Sequence, residues 1–197
     1  MLALGIRYLN GWAMAAADGA SKQQAEWPPH PDRVFMALAA AWFETGEDAA
    51  EGAALEWIQG LGAPQLDASD ASRRGTDQGP RQPVSYVPVN DARASKHRLA
   101  SSDFGKLKDA GLSLLPEHRN RQARHFPVAI PLRPLVHLVW PEADPGPHTA
   151  AIEALAAKVT NIGHSASLVQ VWLERRPIRA RWVPTDGIAL RSALESR

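Results

Sequence analysis

The 197-residue chain has no cysteine. That excludes disulfide staples, thiolate chemistry and zinc sites built on cysteine, and it suits a reducing interior. There is no run of about 18 apolar residues that could span a bilayer. The opening stretch MLALGIRYLNGW has no basic segment followed by a long apolar one, so no signal peptide is expected and a cytoplasmic location without membrane contact follows. A phosphate-cradling Walker loop, a dinucleotide fingerprint after the first strand, and the HExxH and EF-hand spacings are missing as well. Seven histidines (30, 97, 118, 125, 137, 148 and 164) are scattered without close ligand spacing. No metal and no other cofactor is therefore expected.

What is present is enough apolar material for a core, at 45% of residues, and a charge distribution that the net +1 conceals. Residues 71–125 hold eleven Arg and Lys against five Asp and Glu, a local charge of +6, which leaves the rest of the chain at −5. A localised polyanion-binding surface needs that asymmetry; a solvated basic loop would show it too.

The apolar pattern sets out the elements. LALGIRYL alternates Leu2, Leu4, Ile6 and Tyr8, which predicts a strand with Arg7 on its other face. From Pro31 onward Val34, Phe35, Leu38, Ala41 and Trp42 make one helical stripe that ends near Gly46. GAALEWIQGLG (52–62) predicts a short helix with Leu55 and Ile58 inward, and APQLDAS a weakly patterned strand. Residues 71–127 then lose periodicity, which marks an insertion in a single domain spanning 1–197. Within that insertion PVSYVPVND suits one arm of a hairpin, and FGKLKDAGLSLL a helical turn or two. LRPLVHLVWP (132–141) suits a central strand bounded by Pro134 and Pro141. PHTAAIEALAAKVTNIG predicts a helix with Ile152, Leu155, Ala156, Val159 and Ile162 on one stripe, closed by Gly163. ASLVQVWLERR predicts the last strand. Strand–helix–strand, insertion, strand–helix–strand is the doubled βαβ order of a ferredoxin-like α+β fold. Its helix-free sheet face, or the loops around it, is a common place to hold single-stranded RNA.

Candidate contact residues gather at three places. RNRQARHF puts Arg119, Arg121, Arg124, His125 and Phe126 within eight residues; guanidinium forks suit phosphate oxygens, and an aromatic beside them takes a stacked base. RASKHR adds Arg93, Lys96 and Arg98, and Arg73–Arg74 forms a third basic cluster. In EWPPHPDR, prolines stiffen the approach to the first helix, and His30 and Arg33 stand beside its N-terminal amides, an anion-friendly corner. The NIGHSAS turn offers Gly163, His164 and Ser165, where glycine lets backbone amides approach a ligand; a plain glycine helix stop explains the same residues. His137, inside an apolar strand, reads as structural. Of seven tryptophans, Trp12 and Trp27 lie in loops and are the candidates for stacking. A second chemistry is open to Lys96 and His97, with His30: a base for a 2′-hydroxyl and a cation for a phosphorane suffice for metal-independent RNA cleavage.

Five stretches together, LALGIRYLNGW, EWPPHPDRVFMALAAAW, RHFPV, PLVHLVWP and KVTNIGHSASLVQVWLE, resemble one CRISPR-associated family. It is the type I-G (formerly I-U) subunit in which a Cas-five-like half is fused to a Cas-six-like half. The proline-rich EWPP stretch is the most specific part of the resemblance, and the turn at Gly163 supports it. The chain departs from the family's usual pattern at His30, where serine is usual, and at His164 and Ala166, where arginine and glutamate are common.

The resemblance implies a RAMP-superfamily, RRM-like domain that grips the 5′ handle of CRISPR RNA. It implies that the domain caps one end of the Cascade surveillance complex in antiviral defence, with residues 71–127 as a thumb-like element. Its implied partners are the crRNA, the Cascade backbone and large subunits, a separate Cas-six-like subunit and, indirectly, target DNA. At this length only the Cas-five-like half is expected, with no processing activity of its own. Two rival readings are a metal-independent endoribonuclease acting on repeat RNA and a protein-interaction module that does not touch RNA.

Overall fold

The alternation at the start of the chain forms strand β1, Leu2–Tyr8, with only Arg7 exposed along it. The structure, a computed structural model, describes residues 1–17, 22–73, 84–88 and 121–184. Helix α1 is Pro31–Glu44. Pro31 sits in its first turn, where the missing N–H costs nothing, and the His30 ring accepts from the Asp32 amide as N-cap. It buries Val34, Leu38 and Ala41, with Phe35 and Trp42 half-buried, and stops at Thr45, whose hydroxyl donates to the Ala41 carbonyl. Helix α2 is Ala49–Gln59. It begins three residues before the predicted start because the Asp48 carboxylate accepts from the amides of Ala50 and Glu51. Short strands follow at β3, Gln65–Ala68, and β4, Ala71–Arg73. Next come β5, Val84–Pro88, and β6, Arg121–His125. Then β7 is Val128–Pro131 and β8 is Leu135–Trp140, with prolines flanking β8 on both sides. A 3-10 turn at Gly146–His148 leads into α3, Thr149–Lys158, and β9 is Val169–Leu173. A two-residue strand, β2, lies at Ala13–Met14.

One expectation needs correcting. The predicted helix through Val159 and Ile162 ends at Lys158; Val159 is already extended, yet both apolar residues stay buried. Beyond that point the chain prefers sheet-like bonds. The Val169 amide donates to the Thr160 carbonyl, and Asn161 bridges Leu168. The β-branched residues Val159, Thr160 and Ile162 are stiff at χ1 and gain little from a helix, so tertiary bonds decide the turn.

The fold is α+β. Its main sheet runs β3-β8-β1-β9, every neighbouring pair antiparallel. β1 and β3 therefore point the same way with β8 between them, joined through α1 and α2. β8 and β9 do likewise around β1, joined through α3. Leu2, Leu4, Ile6, Tyr8, Val136, Leu138 and Val171 point to the helical side and share a core with Leu38, Leu55, Ile152 and Leu155. Each such side chain contributes about 1.5–3 kcal/mol by leaving water. A second sheet, β2-β7-β4, and a two-stranded one, β5-β6, complete the strands described. The contacts divide the chain into two units, Met1–Arg81 with Pro127–Arg197, and Gln82–Phe126. The ends of the predicted 71–127 insertion thus carry ordered strand: β4 pairs with β7 from Ala71↔Pro131 to Arg73↔Ala129.

Candidate nucleic-acid interface

The anion-friendly corner before α1 is filled by the protein itself. The Glu26 carboxylate accepts from the His30 amide at 3.0 Å and from both Nε and Nη2 of Arg33 at 2.8 and 2.9 Å. Arg33 also donates to the Ala16 carbonyl. Hydrogen bonding to Glu26 raises the guanidinium's hold on its proton. The same carboxylate and, above all, burial push the neighbouring Tyr8 phenol up, so it stays protonated. Arg33 therefore works as an internal clamp. His30 keeps an exposed ring whose Nδ1 lies 3.4 Å from the Asp32 amide and 3.5 Å from the Asp32 carboxylate. Trp27 is 8% exposed; it packs edge-on against Tyr8 and its indole N–H donates to the Ser69 carbonyl at 2.8 Å. A ring so enclosed offers no face to a base, which corrects the stacking role expected of it.

The NIGHSAS turn meets this corner. Gly163 has φ +85°, and a Cβ there would come within 2.9 Å of the Ala15 Cβ and 3.2 Å of the Arg33 Cδ. Glycine is thus required twice, for the backbone angle and for the close approach. Fully buried Ser167 ties the turn to β2, its Oγ accepting from the Met14 amide and donating to the Met14 carbonyl. The His164 ring accepts from the Ala166 amide, and Ser165 is exposed. The two stretches that stood out in the sequence are thereby neighbours, separated by 130 positions. A cleft of about 250 Å³ runs beside them between α1 and residues 158–163. Its cations, Arg33 and Lys158, are both engaged, Lys158 by the buried Glu51 carboxylate at 2.6 and 2.8 Å.

The helix-free face of the main sheet differs from the RNA platform expected. Gly5 lies opposite both His137 and Trp172, and a Cβ there would fall 2.4 Å from the Trp172 ring. His137 is buried between two carboxylates, its Nδ1 3.3 Å from Asp67 and its Nε2 3.9 Å from Glu174. The Trp172 indole N–H donates to Glu174, and Ala3 and Val139 beside this array are buried too. The structural role expected of His137 fits this setting. A closed face carrying two carboxylates repels phosphate.

Exposed cationic and aromatic groups occur together on the β5-β6 hairpin of the second unit. Its register pairs Val84 with His125, Ser85 with Arg124, Tyr86 with Ala123, Val87 with Gln122 and Pro88 with Arg121. Strand alternation puts Tyr86 and His125 on one face and Arg124 with Ser85 on the other. Arg124 is exposed, His125 and Phe126 are half-buried, and the Tyr86 ring is 65% exposed opposite small Ala123. The sequence reading missed Tyr86, because alternation within VSYVP reads equally well with either face inward.

Arg73 is placed by its backbone in β4. Arg74, Arg93, Lys96, His97, Arg98 and Arg119 lie outside the described residues. Among the described residues no group of three or more His, Asp or Glu side chains is arranged to hold a metal ion, and no helix is long and apolar enough to cross a membrane. No curated protein matches the chain. A family model described as "CRISPR-associated protein, GSU0054 family" matches residues 6–186.

Proposed function

The chain belongs to the CRISPR-associated GSU0054 family, which sets it within CRISPR defence, and from that premise we propose that it is the crRNA-binding subunit of a type I-G Cascade complex. In this reading it is the Cas-five-like half, holding the 5′ handle of crRNA and capping the complex. Its partners are then the backbone and large subunits, with target DNA engaged indirectly. The observation that carries the reading is the family match, which runs across both strand–helix–strand halves and the basic stretch between them. The strand order supports a ferredoxin-like RAMP domain, since two interleaved crossovers around one antiparallel sheet define that topology.

RNA contact falls to the hairpin unit. Arg124 offers a fork for phosphate, Tyr86 a face for a base, and His125 stands beside it. Arg121 and Arg119 extend the same basic run, and Arg93, Lys96 and Arg98 precede it. Trp27, Arg33 and Gly163 serve the scaffold of the first unit.

Binding of a repeat-derived 5′-handle RNA, titrated at several salt concentrations, tests this. Replacing Arg119, Arg121 and Arg124 by alanine should weaken binding and flatten the log–log salt slope by roughly two, at about 0.7 per lost contact on a single strand. An unchanged affinity and slope would overturn the assignment of this cluster.

A further inference from the structure

Beyond β9 the chain runs ERRPIRARW, with four arginines in seven residues that none of the contacts described so far uses. Both of its ends are pinned to the main sheet. The Glu174 amide donates to the Ala3 carbonyl, next to β9 at one edge. Arg181 and Trp182 donate their amides to the Leu66 carbonyl on β3, at the opposite edge, and the Leu66 amide returns a bond to Trp182. A stretch of this length pinned at opposite edges is a strap, held in place by backbone bonds.

Its arginine side chains are turned to solvent. Arg176 is 87% exposed, 3.6 Å from the Glu174 carboxylate. Arg175 pairs with exposed Glu153 at 2.7 Å, and Arg181 with exposed Asp70 at 3.2 Å, its other nitrogen 3.5 Å from the Ala68 carbonyl. Arg179 is exposed and has no side-chain partner among the described residues. Exposed pairs of this kind hold their partners by no more than about 1 kcal/mol, so a phosphate can replace them. The Arg181 guanidinium lies 5.5 Å from the centre of the Trp182 ring, itself part-exposed, an arrangement that also suits a base stacked at the edge of a backbone track.

We propose that the 175–182 strap is a second, separate contact strip for the backbone of single-stranded nucleic acid. Guanidinium forks at four positions along an anchored stretch can meet several phosphates of one strand, and the Trp182 ring distinguishes the strip from a purely ionic patch. The half-buried Glu174 carboxylate does not oppose it, being taken up by the Trp172 indole, the Arg176 amide and His137. The inference rests on the RNA-binding reading above, and its test separates the two.

Arg176→Ala with Arg179→Ala removes the two cations that contribute least to the fold. Handle-RNA binding should weaken about tenfold and the salt slope should flatten by roughly 1.4, two single-strand contacts, with the thermal melt unchanged. If affinity and slope stay the same while Arg121→Ala with Arg124→Ala still weakens binding, the strip is overturned as an RNA contact, in favour of a protein-docking use, and the RNA-binding reading survives. If the unsubstituted protein binds no handle RNA at low salt, both fall.

Discussion

Arg33 and Arg124 carry the same guanidinium in two differently built regions. In the first unit Arg33 is clamped bidentately by Glu26, and Lys158 by the buried Glu51. In the hairpin unit Arg124 stands exposed opposite Ser85, with Tyr86 exposed on the other face. Beside α1 the body meets these two cations with its own carboxylates and so converts charge into structure. The hairpin leaves Arg124 to solvent, available to another molecule's anions. Positive charge alone therefore says little about binding; the position of the nearest carboxylate decides.

The sharpest way to break this division is a core truncation. Leu38→Ala removes a side chain 1% exposed and should cost about 2–5 kcal/mol of unfolding free energy in a denaturant titration. RNA affinity of the folded fraction should not move; a parallel loss of affinity would mean that the two regions do not work separately. A smaller, opposite effect is expected from Tyr86→Ala. Loss of one stacked base is worth about 1–3 kcal/mol in RNA binding, while the melt should stay where it was because the ring is mostly in water. A fall in Tm without a fall in affinity would assign Tyr86 to the scaffold.

The smallest effect concerns acid. Hydrogen bonds from the Arg176 amide and then the Trp172 indole hold the Glu174 carboxyl below the usual carboxylate range. A folded-state pKa below the unfolded one makes a contribution that is present above the unfolded value and lost as pH falls through the folded one. Protection of the Arg176 amide, which donates to this carboxylate, measured against its intrinsic exchange rate, should therefore persist at neutral pH and be lost only at strongly acidic pH, with the main-sheet strands still protected. Quickening near neutrality would detach the strap's anchorage from Glu174.

Much of the fold was legible beforehand. The alternation in LALGIRYL, the stripe after Pro31 and the apolar run between Pro134 and Pro141 each mapped onto a described element, since burial on one face imposes a period that survives in the residues. The hairpin arm at PVSYVPVND was legible from its β-branched and aromatic residues rather than from burial, since Val84, Ser85 and Tyr86 are all exposed. The early start of α2 was not, because an Asp48 cap acts through a side-chain bond that leaves no period. The end of α3 was missed because Val159 and Ile162 are apolar in either conformation. Among candidate residues, sequence singled out Arg124, His125, Phe126 and Trp27 but not Tyr86, since composition records an aromatic ring and not whether a core has closed around it.

The sequence alone determined the main-sheet strands and the helices that follow them, the uneven charge, and a resemblance to a CRISPR-associated family. These are local properties, written in spacing and residue type. Tertiary structure decided which charges are spent. Only the fold brings Glu26 onto Arg33, sets Glu51 under Lys158 from 107 positions away, and closes Asp67 and Glu174 around His137. Electrostatic pairing depends on distances in space, and a chain whose sheet neighbours come from distant positions fixes those distances only once it has folded.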